Sequence, residues 1–206
     1  MPEVMSLDYV LAQWAYSELL SREQGDKYQG PGVSALRMKA RRGVKFDELD
    51  HEERGLLLKG WHGVRGGGTI FANALAGVTA FRVTHWTKDD LGLAYIIGHF
   101  FQWLPPTYRS RPITFREWVG TEPHGILSEH HPLREAATAG SFFRDENPIT
   151  VTRLRVLLGV GELHAFTLLN EFQGFVLLDG YHRAVKFWTT KDAAATLAVY
   201  VPLEVQ

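Results

Sequence analysis

The sequence predicts a mixed α/β (α+β) chain, with a mostly helical first half and a second half in which strands and helices alternate. Three observations carry that expectation. Before the Pro105-Pro106 pair, apolar residues recur mainly at helical spacing. After it, FVLLD (175–179) and LAVYVPLEV (197–205) have the length and composition of strands. Between those strands, a segment from His182 has the character of a helix. The expected division falls near residue 106, separating a mostly helical region 1–106 from an α/β region 107–206, with a shared core open to both.

Composition narrows the class. At 206 residues the chain can bury one good core, or one core and a smaller lobe. Hydrophobic content of 45% and charged content of 22% are those of an ordinary globular domain. The formal net charge of −1 gives no bulk attraction to nucleic acid or anionic membrane, so a polyanion would need a local patch. With no cysteine, disulfides, thiolate catalysis and cysteine-based zinc sites are excluded. The N-terminus lacks the basic segment of a secretory signal. The longest apolar stretch, LGLAYIIGHFFQWL, is about 14 residues against the roughly 18 that a membrane span needs. A soluble cytoplasmic protein without membrane contact is expected.

The elements follow in order. Residues 7–21 read as a helix capped by Ser6, with Val10, Leu11, Trp14, Leu19 and Leu20 on its apolar positions. SREQGDKYQGPG breaks it as a loop. The basic stretch RMKARRGVK (37–45) reads as a solvated face, or else as a polyanion contact. Asp50 caps a short helix, HEERGLLLKGW. The glycine cluster GWHGVRGGGT (60–69) reads as a flexible connector carrying His62 and Arg65. FANALAG is a short helix and VTAFRVTHW a strand. Thr87 or Asp89 then caps a long apolar helix running to about Leu104. Beyond the proline pair, ITFREWVG is a strand candidate and residues 122–148 are polar and irregular. VTRLRVLLGVGEL reads as a helix and AFTLLNE as a strand. The strand FVLLD, the helix from His182 and the strand LAVYVPLEV close the chain.

The chemistry concentrates at Asp179-Gly180-Tyr181-His182-Arg183, where a buried strand becomes a helix. Glycine there permits a tight turn and close approach to a ligand. The first turn of a helix offers free N–H groups and the positive end of its dipole, a natural seat for phosphate. His182 and Arg183 add donors, and Asp179 suits a metal, a proton or the orientation of His182. A second reading is purely structural: Asp179 caps the helix, while His182 and Arg183 reach water or pair with Glu171.

The segment 148–188 resembles the core of the ParB/sulfiredoxin-like superfamily, several members of which carry Asp-Gly-His-His-Arg at this corner. LAVYVP (197–202) is similar to a terminal strand of that family, and the resemblance covers roughly residues 110–206. It implies a ParB/sulfiredoxin-like mixed-sheet domain with a helical N-terminal extension covering its site. It also implies nucleotide phosphate binding, as a nucleotidase or a small-molecule phosphotransferase. On that resemblance Gly180, His182 and Arg183 are phosphate contacts, and Asp179 is a metal or proton partner. Glu162, in GVGEL, becomes the general base on an acceptor hydroxyl. The implied cofactors are Mg²⁺ and a nucleotide such as ATP or CTP, and the implied partners are that nucleotide and a small acceptor. Tyr181 departs from the family's basic residue, which removes one phosphate contact. Sulfinic-acid reduction is excluded because its cysteine cannot exist here. Chromosome partitioning is not expected, since no DNA-binding domain follows the core.

Alternatives remain open. A nucleic-acid-binding or nuclease-like protein of the same fold would use RMKARRGVK, Arg109, Arg111, Arg116, Arg153 and Arg155 as a basic track, with tryptophans for stacking. A non-catalytic partner-binding protein, such as an antitoxin or a phage-borne inhibitor, is the third reading. Weaker constellations are Glu129-His130-His131 with Asp145-Glu146, and His164, Glu171 and His182. Neither has the spacing of an established metal motif.

Overall fold

The computed structural model describes residues 3–21, 25–66, 71, 74–96, 113–120, 147–153 and 174–204. Among them, seven strands form one mixed sheet with six α-helices around it. The strands are β1 (Val4–Ser6), β2 (Val78–Trp86), β3 (Tyr95–Ile96), β4 (Ile113–Thr114), β5 (Ile149–Arg153), β6 (Phe175–Asp179) and β7 (Leu197–Glu204). Their order is β1-β2-β7-β5-β6-β3-β4. The β7–β5 and β6–β3 pairs are parallel and the other four pairs antiparallel. β1, β2 and β3 precede residue 106 and the other four strands follow it, so the stretch expected to be mostly helical contributes three of seven strands. A single apolar cluster, from Val10 to Tyr200, runs through both stretches.

Local signals explain the helices. α1 (Leu7–Glu18) starts where Ser6, in extended backbone, accepts the Tyr9 N–H at 3.2 Å. It buries seven consecutive residues, Val10 to Tyr16, and packs on α3 and β2. A 3₁₀ turn (Gly25–Lys27) leads into α2 (Val33–Arg41), which buries Val33, Leu36 and Ala40, the last of them within the basic stretch. Asp50 and Glu53 form a reciprocal capping box on α3 (His51–Arg65). α3 runs through Gly60 and Gly63 to Arg65, so His62 and Arg65 stand on a helix rather than on the expected connector. Packing of Leu57 and Trp61, both about 2% exposed, outweighs the propensity cost of about 1 kcal/mol per glycine.

Three further expectations are corrected. The helix begun by Thr87, α4 (Lys88–Leu93), ends at Leu93, because Ala94 is extended and Tyr95-Ile96 pair in parallel with Val176-Leu177. Sheet pairing in a buried position wins there over helical spacing. ITFREWVG is a two-residue strand followed by α5 (Phe115–Gly120). Thr114 and Glu117 cap that helix reciprocally, through bonds of 2.9 and 3.2 Å. The start of VTRLRVLLGVGEL is strand β5 rather than helix, as the β-branched run Ile149-Thr150-Val151-Thr152 prefers. Residues 154–173, with the rest of that segment and AFTLLNE, lie outside the described residues. The last helix, α6 (Tyr181–Thr190), packs on β5 and α4.

Candidate functional site

β6 delivers Asp179 to the end of the sheet, opposite Thr150 of β5 and beside a register shift between Thr150 and Val151. Gly180 then caps α6 in the left-handed region, at φ 90° and ψ 24°. A Cβ on Gly180 would meet Ile149 Cγ2 at 2.6 Å and Arg183 Nη2 at 2.8 Å. The space beside Gly180 is therefore filled by the protein's own side chains, whereas the sequence suggested room for a ligand. The Tyr181 hydroxyl donates to the Leu177 carbonyl at 2.6 Å, and its ring stands edge-on to Trp118.

His182 is half-buried, and burial pushes its pKa down to about 4, with Asp179 opposing and Arg183 reinforcing the shift. It is therefore neutral at pH 7. Arg183 is 6% exposed. Its Nη2 donates to Asp179 Oδ2 at 2.7 Å and to the Pro148 carbonyl at 3.4 Å. Its Nε is buried without a hydrogen-bond partner among the described residues. Asp179, expected as metal ligand or proton partner, gives one of its oxygens, Oδ2, to Arg183.

This ion pair lines a cleft that α1 closes from above. Gln13 and Ser17 of α1, Asn147 ahead of β5, Thr150 of β5 and Tyr200 of β7 also line it, beside the Trp14 ring. The cleft leaves about 10 Å³ for the centre of a water-sized sphere, which is about the least that holds one water. A directed chain of hydrogen bonds crosses it. The Tyr200 hydroxyl donates to Gln13 Oε1 at 2.6 Å, and Gln13 Nε2 donates to Asn147 Oδ1 at 3.4 Å. Burial pushes the Tyr200 phenol well above its ordinary range, so it stays protonated and a donor. The direction of the chain leaves Asn147 Nδ2 as its terminal donor, and Nδ2 is buried without a partner among the described residues.

A second charge cluster adjoins the first through Trp14. Glu18 accepts from Trp14 Nε1 at 3.1 Å, from Arg65 Nη2 at 2.5 Å and from the Tyr28 hydroxyl. Arg65 also lies over Phe71, 4.9 Å from its ring centroid. Burial, and then Glu18, push the Tyr28 phenol far above its ordinary range, and Asp179 adds to the shift. The two clusters thus share one electrostatic environment.

The remaining expected residues fall elsewhere. Glu162, Glu171, His164, Glu129-His130-His131, Asp145-Glu146, Arg109, Arg111 and Arg155 lie outside the described residues. His62 is exposed on α3. Arg37 turns inward to the carbonyls of Gly25 and Tyr28, Arg116 pairs with Asp89, and Arg153 stacks over Phe175. Among the described residues no set of three His, Asp or Glu side chains gathers for a metal. Among the described residues one carboxylate lines the cleft, and it already holds Arg183, so that donor set does not fit a resident Mg²⁺. Gln13, Asn147 and Tyr200 are new. They lie too far apart in sequence for any spacing to join them, and only the Asn147-Pro148 turn dipeptide marks the place.

No family model, no curated protein and no solved structure matches the chain.

Proposed function

We propose that the corner between β6 and α6 binds the phosphate end of a nucleotide, in a ParB/sulfiredoxin-like arrangement, for phosphate-centred chemistry. The observation that carries this reading is Arg183. It is a nearly fully buried guanidinium on the first turn of a helix, and it is not consumed by its own ion pair. Both bonds of Arg183 use Nη2, so Nη1 and Nε remain to be used. Nη1 takes a phosphate oxygen, together with the first-turn amides of α6 and the helix dipole. Neutral His182 contributes a hydrogen bond rather than a charge. Asp179 holds the guanidinium in one orientation, so little ordering is left for the moment of binding. Magnesium enters this reading with the nucleotide, as part of the substrate.

A thermal-shift series with ATP, ADP, CTP, GTP and pyrophosphate, each with and without Mg²⁺, tests it. A ligand at 100 times its dissociation constant adds about 2.7 kcal/mol, or roughly 5–10 °C for a chain of this size. No shift with any of these ligands at millimolar concentration would remove the reading.

A further inference from the structure

The cleft under α1 bears on which phosphate chemistry follows, and this step rests on the phosphate reading above. We infer that the cleft seats the attacking water of a hydrolase, held by Arg183 Nε, Asn147 Nδ2 and Asp179. Three observations on different elements converge on it. Two buried donors, Arg183 Nε and Asn147 Nδ2, lack partners among the described residues and line the same cleft. The cleft leaves about 10 Å³ for the centre of a water-sized sphere, room for one ordered water. The relay from Tyr200 through Gln13 fixes which end of the Asn147 amide is turned to the cleft. A water there accepts from the two donors and donates to Asp179 Oδ1, whose other oxygen is occupied by Arg183.

The step balances without a further reagent. An oxygen lone pair of the water forms the bond to the terminal phosphorus. The bridging P–O bond breaks, and its electron pair leaves with the shortened nucleotide. The proton passes to Asp179, acting as general base. Asp179 and Asn147 touch the water and are the catalytic pair. Gln13 and Tyr200 are positioning residues.

The test uses the full chain in ¹⁸O-water, with each of the four ribonucleoside triphosphates and Mg²⁺, and with nucleotide binding measured in parallel. Wild type should bind one of them and release orthophosphate carrying one ¹⁸O per turnover. Asn147→Ala should lower kcat on the order of 10²-fold while leaving the dissociation constant unchanged. Tyr200→Phe should lower kcat without changing KM. Asp179→Asn should abolish turnover, and because it also disturbs Arg183, Asn147→Ala carries the decision. Binding without ¹⁸O in orthophosphate overturns the water inference and leaves the phosphate reading standing. Incorporation that is unaffected in Asn147→Ala overturns the cleft as the seat of the water. Failure of every triphosphate to bind overturns both.

Discussion

Replacing Gly180 with alanine separates two demands that meet at one residue. The first is backbone: at φ 90° an alanine occupies the left-handed region, which costs roughly 1–2 kcal/mol. The second is space: the added Cβ would lie 2.6 Å from Ile149 Cγ2 and 2.8 Å from Arg183 Nη2. Overpacking of that kind typically costs a further ~1–3 kcal/mol. Gly180→Ala should therefore destabilise by about 2–5 kcal/mol. Gly77→Ala is the control, since Gly77 has φ 79° but its Cβ would meet nothing within 4 Å. It should cost only the backbone share, about 1–2 kcal/mol. Urea unfolding followed by tryptophan fluorescence measures both. In an Ile149→Ala background the added cost of Gly180→Ala should fall part of the way towards the Gly77 value, because Ile149 Cγ2, the nearest atom it strikes, is gone while Arg183 Nη2 remains. Equal costs for Gly180→Ala and Gly77→Ala in wild type, within about 0.5 kcal/mol, would refute the packing of the corner.

Three other outcomes follow from the same geometry. Arg183→Leu should cost about 3–5 kcal/mol by stranding the Asp179 charge, and adding Asp179→Leu should recover much of it; calorimetric unfolding of the pair of variants decides. By contrast, Arg116→Ala should cost under about 1 kcal/mol, because its partner Asp89 is largely exposed, and salt should erase the difference. His182 stays neutral in the folded chain down to about pH 4 but charges near 6.5 when unfolded. The unfolded state therefore binds more protons between those values, and stability should fall as pH drops from 6.5 to 4. At about 1.4 kcal/mol per unit the loss is on the order of 3 kcal/mol, and His182→Gln should flatten that part of the profile.

Short-range chemistry made much of this fold legible. Ser6, Asp50 and Thr87 cap helices as their side chains dictate, and FVLLD and VTAFRVTHW are strands. The differences have more than one cause. Tyr95-Ile96 is a strand because a partner distant in the sequence pairs with it, which apolar spacing cannot register, whereas the β-branched run Ile149–Thr152 did signal a strand. The Thr114–Glu117 box was readable from Thr-x-x-Glu but was outweighed by the apolar strand pattern around it. At the site, the sequence marked Asp179, Gly180, His182 and Arg183 because they are adjacent in the chain. It offered nothing for the bond from Tyr200 to Gln13, which spans 187 residues. Nor could it show that Asp179 would be taken up by Arg183, since an i, i+4 pair across a strand–helix junction needs the left-handed turn at Gly180 to form.

The central claim is that Arg183 receives phosphate, and titration calorimetry of wild type against Arg183→Lys tests it most directly. Lysine keeps the charge opposite Asp179 but lacks the planar fork that serves Asp179 and a ligand at once. The account predicts that wild type binds a nucleotide and that Arg183→Lys, still folded by circular dichroism, binds it at least about tenfold more weakly. Equal affinity in the two proteins would contradict it.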